Sequence, residues 1–483
     1  MTPAAVIATV LGYIAVLFLV AWLSGRRADN AGFFSGGRRT PWYMAAFAMI
    51  GAAMSGVTFI SVPGSVAADS FSYMEMVAGF TVGQFVVAFL LIPTFYRLRV
   101  VSLYEYLDDR FGIHSHRTGA WFFFISKMLG AALRVYVVCA VLQLLVFDHY
   151  GLPLWANALV TMAFVWLYTQ QGGVQSLIWT DTLKTVCLVG SLVLSIVFIA
   201  DGLGLSARGV VQAVSDSPMS RIFFFDDPAS DRYFWKMFAA GIVLLVAMTG
   251  LDQDMMQRNL SCATPRDSQK NIVLTAVSQI FVIFLFLVLG VLLYLYAGHT
   301  GLELPAKSDQ VFSLVAVDGG LPPVVGILFV VGLISSTYSA AGSALTALTT
   351  SFTVDILQGT RRCDERRLTR LRRSVHLLMA LAMAGVILAF GYLADDSVIN
   401  LVYKVASYTY GPILGMFLFG LFTRRRIRDG WMPWIAVAAP MLSALVQWWA
   451  REAWDYRIGF ELLVYNAAFT MIGMFLVSQR HEK

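Results

Sequence analysis

Charged residues are scarce in this 483-residue chain: Asp, Glu, Lys and Arg together make up 13%, whereas hydrophobic residues make up 58%. Soluble domains carry roughly 25% charged and about 45 to 50% apolar residues, so a chain of this composition has the lipid bilayer as its solvent. The shortage of charge therefore excludes an ordinary soluble domain. It predicts an all-α polytopic membrane protein.

Cysteine and histidine are also sparse, and their positions exclude several kinds of site. The four cysteines show neither a metal-binding spacing nor a disulfide framework. The six histidines fall in loops or at the ends of apolar runs, so they supply no His/Asp or metal cluster for hydrolysis inside the membrane. Dinucleotide-binding and Walker motifs are absent, which argues against ATP-driven pumping. We therefore expect that the protein is not an enzyme.

The excess of basic residues is typical of a membrane protein and does not require a nucleic-acid partner. The formal net charge is +6, and Lys and Arg concentrate in loops such as residues 361–373 and 424–428. Cytoplasmic loops of membrane proteins carry such an excess. The distribution predicts a multi-pass protein of the plasma (inner) membrane, with its N-terminus outside and its C-terminus in the cytoplasm.

Apolar runs predict about thirteen transmembrane helices in a single domain over residues 1–483. The first run lacks a basic start and is long enough to span, so we interpret it as a retained helix and not as a signal peptide. We place the helices at residues 3–23, 42–66, 73–97, 119–147, 153–169, 175–200, 233–256, 270–297, 323–355, 374–393, 397–422, 431–449 and 460–478.

Two of these helices are predicted to be interrupted. Residues 51–56 are small and lack bulky side chains at mid-membrane, and Met248-Thr249-Gly250 precede two aspartates in the seventh run. A close helix crossing would explain the glycines. Alternatively, unwound backbone at this depth is tolerated where it lines a cavity, and paired breaks five helices apart are typical of inverted-repeat transporters.

The ninth run carries small and hydroxyl side chains along one helical face. Such a stripe is typical of close helix packing. However, neighbouring Ser335 and Ser336 also place two neutral oxygens together at membrane depth, which suits a hard monovalent cation. The stripe, at alternating steps of four and three, consists of Gly332, Ser336, Ser339, Ser343, Thr346 and Thr350.

Five segments resemble the sodium:solute symporter family, which includes sodium/glucose, proline and sialic acid transporters. They are GAAMSG at 51–56, WTD at 179–181, MTGLDQDMMQ at 248–257, the serine pair at 335–336 and YTYGP at 408–412. The resemblance implies a LeuT-type five-plus-five inverted-repeat core. The first repeat would cover residues 42–200 and the second 233–422, with one extra helix before them (3–23) and two after (431–478).

The resemblance also implies a site for Na⁺. In that family, the sodium ligands are backbone carbonyls of the first broken core helix and of the eighth core helix, together with two hydroxyls. The matching positions are Gly51, Met54, Gly332, Ser335 and Ser336. All five are chemically competent, because a carbonyl ligand does not depend on its side chain.

A second Na⁺ is implied by the sialic acid branch and stays open. Its ligands match Asp181 and the hydroxyl positions Tyr338 and Ser339, but Tyr338 departs from the expected serine. Asp181 also lies three residues before Lys184, a spacing that allows a local ion pair on one helix face. We expect one sodium ion, and the sequence does not decide on the second.

Arg134, in the middle of an apolar run, is the main candidate for binding a solute. Its position resembles that of the arginine that holds the substrate carboxylate in sialic acid transporters, and a guanidinium offers bidentate hydrogen bonds to a planar anion. A structural pairing with Glu75 is the alternative. The step from Phe71 to Glu75 resembles a Phe-to-Gln step of that branch, so Glu75 could also contact solute.

Ser55, Thr58 and Phe59 are further candidates for the solute site, since the first break would aim them inward. We expect a sodium-coupled symporter that works as a monomer in the lipid bilayer. It would import a small organic solute, such as a sialic acid-like sugar acid or an amino acid, by alternating access. Coupling to protons through Asp181 or Glu75, or an uncoupled channel or solute sensor, are the alternatives.

Overall fold

The computed structural model describes residues 3–25, 40–98, 103–170, 173–305, 307–393, 398–456 and 458–479. Helices dominate these ranges, and two-residue strands at Arg426–Ile427 and Ser478–Gln479 pair antiparallel. The bundle helices are α1 Pro3–Gly25, α2 Trp42–Ala53, α3 Gly56–Asp69, α4 Tyr73–Arg97, α5 Ile113–Tyr150, α6 Leu154–Thr169, α7 Gly173–Gly202, α8 Phe234–Gly250, α9 Gln253–Asn259, α10 Pro265–Thr300, α11 Pro323–Ile356, α12 Glu365–Leu393, α13 Val398–Phe422, α14 Met432–Trp454 and α15 Leu462–Leu476. Shorter helices lie at Glu105–Arg110, Ala207–Ser215, Val311–Asp318 and Gly359–Arg362.

The described helices agree with the predicted spans. Nine of them are long and apolar enough to cross a membrane, and the bent pairs α2/α3 and α8/α9 each make one further span. The shorter apolar helices α6 and α15 fall on the two remaining predicted runs. The prediction of an all-α polytopic membrane protein is confirmed.

Helix starts differ from the predictions where a first turn is polar. α10 begins at Pro265 and not at residue 270, because the side chain of Thr264 caps it by accepting a hydrogen bond from Asp267 N at 3.2 Å. α12 begins at Glu365, ahead of the predicted residue 374. Hydropathy marks the apolar part of a helix and misses charged turns that extend beyond the bilayer.

The first predicted interruption is present and bends the chain by 54° between α2 and α3. Met54 and Ser55 both have extended backbone conformations. The Ser55 hydroxyl accepts from Thr58 N at 3.4 Å, and Ser55 N donates to Thr58 Oγ1 at 3.3 Å. This capping box provides partners for backbone groups at the start of α3 that would otherwise have none in the membrane.

The second interruption bends the chain by 72° between α8 and α9. α8 ends in a π-helical turn, Val246–Gly250, and Asp252 then caps α9. Asp252 Oδ1 accepts from Asp254 N at 2.9 Å and from Met255 N at 3.2 Å. A carboxylate at a helix N-terminus favours the start of a new helix here.

Helices α4 and α8 cross at a contact made of two glycines. A Cβ at Gly79 would overlap the backbone oxygen of Phe238 and lie 3.0 Å from Gly241 Cα. Because the obstructing atoms belong to the backbone, the two helices would have to move apart to admit even a methyl group. The crossing fixes α4 beside the second broken helix.

We expect Gly79→Ala to lower the stability of the purified protein by about 1 to 3 kcal/mol, because the added methyl group overpacks this crossing. Gly190→Ala on α7 is the matched control, since a Cβ there meets nothing within 4 Å. The measurement is thermal unfolding in detergent. If Gly79→Ala melts at or above the temperature of the control, the crossing is not as tight as described.

Candidate functional site

A cavity of about 120 Å³ lies between the two breaks. Met54 and Ser55 line it from the first break, and Thr249 and Asp252 line it from the second. Arg134 of α5 completes this part of the wall. Both interruptions therefore open onto one shared space, in agreement with the alternative that they line a cavity.

Three of the predicted solute-binding residues line this cavity: Ser55, Thr58 and Arg134. Arg134 is partly exposed to the cavity. Among the described residues it has no ion-pair or hydrogen-bond partner, so the alternative of a structural pair with Glu75 is not present. A guanidinium without an internal carboxylate is free to bind a solute.

The other predicted solute-binding residues, Glu75, Phe71 and Phe59, do not line this cavity. Glu75 is buried, and its Oε1 accepts a hydrogen bond from Phe224 N at 2.8 Å, in the segment before α8. Phe71 packs edge-on against Phe284, with ring centroids 6.0 Å apart.

Phe59 belongs to an aromatic cluster that does not line the cavity. Its ring lies 5.7 Å from that of Phe286, 5.2 Å from that of Phe312 and 6.0 Å from that of Phe329. It also packs so closely on Gly332 that a Cβ there would lie 2.6 Å from Phe59 Cε2. Phe59 thus positions α11 against the first broken helix.

The aromatic-to-polar step that faces the cavity occurs further along α4, at Phe80 and Gln84. Phe80 and Gln84 have the same four-residue spacing as Phe71 and Glu75, so an aromatic residue followed four residues later by a polar one occurs twice in this part of the sequence. Gln84 Nε2 donates to Gln279 Oε1 of α10 at 2.6 Å, and Gln279 also lines the cavity. Neither glutamine was among the predicted site residues, since only the packing of α4 decides which step faces inward.

Tyr73 and Tyr403 close one end of the cavity and were also missed. Their hydroxyl oxygens are 2.6 Å apart, joining the start of α4 to α13. Both side chains line the central cavity and also a second space of about 360 Å³ beyond them. The tyrosine pair therefore separates the two spaces. The second space is also lined by Asp69, Asp231, Arg232, Lys236, Lys404 and Glu461.

Salt bridges close the opposite end of the cavity, beside α9. Lys127 Nζ lies 2.7 Å from Asp254 Oδ2 and 3.2 Å from each carboxylate oxygen of Asp252. Tyr410 of α13 donates to Asp252 Oδ2 at 2.5 Å. α9 is thereby tied to α5 and α13 through buried charged groups.

Arg258 extends these contacts to α7 and α11. Its Nη1 lies 2.5 Å from Asp254 Oδ1, its Nε lies 2.9 Å from Asp181 Oδ2, and its Nη2 donates to the Ser343 hydroxyl. The Ser339 hydroxyl donates to Asp181 Oδ1. The partner of Asp181 is thus Arg258, which corrects the alternative of a local pair with Lys184.

The predicted sodium ligands Ser335 and Ser336 are fully buried on α11. Ser335 Oγ donates to Gly332 O at 3.0 Å, and Ser336 Oγ donates to Leu333 O at 2.7 Å. A hydroxyl that donates its hydrogen to its own helix keeps its lone pairs available for a cation.

The first break packs directly against this serine pair. A Cβ at Gly56 would lie 3.2 Å from Ser336 Oγ and 2.5 Å from Thr337 Oγ1. Gly51, on the other side of the break, faces α7, where a Cβ would lie 2.8 Å from Asp181 O. The backbone around Met54 therefore runs between α11, which carries Ser335 and Ser336, and α7, which carries Asp181.

Comparisons with known proteins agree with this architecture. The human sodium/iodide cotransporter is 26% identical over 428 residues, and the alignment covers 85% of this chain and 65% of the relative. The sodium-coupled monocarboxylate transporter 2 of Danio rerio is 24% identical, with 82% of this chain and 63% of the relative covered. The chain thus spans less than two thirds of the length of these relatives.

A bacterial relative matches over more of its length. The sodium/sialic acid symporter NanT of Aliivibrio fischeri is 24% identical, with 95% of this chain and 90% of the relative covered. Among solved structures, a substrate-bound, outward-open Na⁺-coupled sialic acid symporter superposes with a TM-score of 0.82. It is 20% identical, and 98% of each chain is covered, so this likeness concerns the fold.

A more distant structure shares the same architecture. Mhp1, a nucleobase-cation-symport-1 family transporter, superposes with a TM-score of 0.51 at 15% identity, with 93% of this chain and 95% of Mhp1 covered. These likenesses confirm the predicted LeuT-type fold. Since the pattern that defines the sodium:solute symporter family matches residues 33–435, the chain belongs to that family.

Proposed function

We propose that this protein is a sodium-coupled symporter that imports a small organic solute carrying a carboxylate. The single observation that carries the proposal is Arg134, which lines the central cavity without a carboxylate partner among the described residues. Placing an arginine at mid-membrane costs about 2.5 to 3.5 kcal/mol on insertion scales. A bound carboxylate offsets that cost.

The arrangement of polar groups around Arg134 supports a solute with neutral polar groups as well. Ser55 and Thr58 lie on the first broken helix, and the Gln84–Gln279 pair lies on α4 and α10. A guanidinium binds a carboxylate in a bidentate manner, while hydroxyls and amides bind hydroxyl or amide groups. Relatives named for iodide, monocarboxylates and sialic acid support an anionic solute.

Sodium, the second transported species, would bind between α11 and the first break. Its ligands in the proposal are the carbonyls of Gly51, Met54 and Gly332 and the hydroxyls of Ser335 and Ser336. Neutral oxygens of unwound backbone suit a hard monovalent cation. An ion held here links α2 and α3 to α11. Ion binding thereby stabilises the arrangement of Ser55 and Thr58 that faces solute.

Alternating access follows from the two closures of the cavity. With the N-terminus outside, the Tyr73–Tyr403 pair lies toward the exterior, and the salt bridges of Lys127, Asp254 and Arg258 lie toward the cytoplasm. The solute then enters past the tyrosines and leaves after the salt bridges separate. Proton coupling has less support, because Asp181 is held by Arg258 and Glu75 lies away from the cavity.

We also propose how the helices are divided into two repeats and in which membrane the protein lies. The two repeats would cover residues 42–200 and 233–422, each beginning with one of the broken helices. The protein would function as a monomer in the plasma (inner) membrane, with its C-terminus in the cytoplasm.

We expect the double substitution Ser335→Ala/Ser336→Ala to weaken sodium binding. Losing a hydrogen bond or ligand contact to a charged group costs about 1.5 to 3 kcal/mol, which corresponds to a roughly tenfold to hundredfold higher sodium concentration for half-maximal effect. The measurement is the sodium dependence of uptake into proteoliposomes, together with sodium-induced thermal stabilisation in detergent.

Ser195→Ala is the control for this substitution. Ser195 is also fully buried, lies on α7 and has no hydrogen-bond partner among the described residues. Its loss removes a buried hydroxyl without touching the proposed ligands, so sodium dependence should stay unchanged. The assignment of the site would be wrong if the double variant kept the sodium dependence of the wild type.

We expect Arg134→Lys to weaken the binding of an acidic solute by about tenfold to hundredfold, and that of its amide much less. Lysine keeps the charge but loses the bidentate geometry that matches a carboxylate. Sialic acid and lactate, each compared with its amide, are suitable probes. Equal losses for acid and amide would rule out direct recognition of the carboxylate.

A further inference from the structure

Lys184 on α7 is a buried cation that the proposed transport mechanism does not use. Its side chain is fully buried, and its Nζ has no hydrogen-bond partner among the described residues. The side chain runs beside the first break, since a Cβ at Gly51 would lie 3.5 Å from Lys184 Cδ. A buried ammonium group is costly unless carboxylates nearby neutralise it.

Asp181 lies three residues before Lys184 on α7, and a Cβ at Gly51 would lie 2.8 Å from Asp181 O and 3.5 Å from Lys184 Cδ, so both residues lie beside the first break. Asp254 is shared between Arg258 and Lys127, and Lys127 is shared between Asp254 and Asp252. Lys127 and Arg258 contact the carboxylates of Asp181, Asp252 and Asp254 directly, and Lys184, one turn from Asp181 on α7, is the third cation beside these three carboxylates. This set, the inner charge cluster, has no net charge when all its groups are ionised.

A second sodium ion, implied by the family resemblance, would need Asp181 and hydroxyls at positions 338 and 339. In this structure both carboxylate oxygens of Asp181 already accept hydrogen bonds, from Arg258 Nε at 2.9 Å and from the Ser339 hydroxyl. Position 338 carries a buried tyrosine where the sialic acid branch has a serine. The residues present therefore do not fit a second ion.

We propose that Lys184 and Arg258 are resident cations that replace a second sodium ion beside Asp181, so that this transporter binds a single sodium ion per solute. The inference rests on the proposed function, because it presupposes sodium at Ser335 and Ser336. Adding a further cation to a cluster that is already neutral would leave it with an excess positive charge in a medium of low dielectric constant, where repulsion is strong.

Resident cations differ from transported ones in their effect on coupling. Lys184 and Arg258 stay bound through the whole cycle, so they neutralise Asp181 whether or not the cavity holds solute. They therefore contribute nothing to the driving force. Activation by sodium should then follow a simple hyperbola, since only the ion at Ser335 and Ser336 exchanges with the medium.

The test is equilibrium binding of ²²Na⁺ to the purified full-length protein in detergent. We expect the wild type to bind one ion per chain with a Hill coefficient near one. Lys184→Gln removes a positive charge and leaves the cluster with an excess carboxylate next to Asp181. This variant should bind two ions per chain.

Two further variants serve as controls. Lys184→Gln combined with Asp254→Asn restores a neutral cluster and should return the capacity to one ion. Lys236→Gln removes a lysine from the second space, beyond the tyrosine pair, and should also leave the capacity at one.

Two ions bound to the wild type would overturn the inference, even if Lys184→Gln failed to fold. An unchanged capacity in a folded Lys184→Gln would overturn it as well. Both results would leave sodium coupling itself intact. By contrast, no sodium binding by the wild type would remove the proposed function, and this inference with it.

Discussion

The neutralisation of buried charge determines how the α9 end of the cavity is built. Lys127, Asp254, Arg258 and Asp181 form a continuous chain of ion pairs that links α5, α9, α7 and, through serine hydroxyls, α11. Removing one member leaves its partner charged and unpaired in a medium of low dielectric constant, so these helices are held together strongly. The short helix α9, which offers little apolar surface of its own, depends on this network for its position.

The need to neutralise buried charge also explains why Arg134 is the candidate for binding an anionic solute. Lys127 and Arg258 each form ion pairs with carboxylates, whereas Arg134 faces the cavity and forms none among the described residues. A transported anion would supply the missing charge, and sodium at Ser335 and Ser336 would enter with it. A solute monoanion and a single sodium ion together carry no net charge. In this account the loaded carrier can therefore change conformation without moving a net charge across the membrane.

The fold was predictable because its signals are local. Apolar runs gave the spans, and small or acidic residues around Gly51 and Asp252 gave the two breaks, each of which the structure contains. The solute site was less predictable. A four-residue aromatic-to-polar step occurs both at Phe71, just before α4, and at Phe80 within it, and only the packing of α4 selects the second. The pairing of Arg258 with Asp181, 77 residues apart, likewise has no local signal.

The most direct test of this account is solute uptake into proteoliposomes under an imposed sodium gradient, measured at several potassium diffusion potentials. With sialic acid or lactate as the monoanionic probe, the account predicts uptake that requires sodium and has a rate independent of the potential. Uptake that is accelerated by an inside-negative potential would mean that more than one sodium ion moves with each anion. Uptake that persists without sodium would contradict sodium coupling.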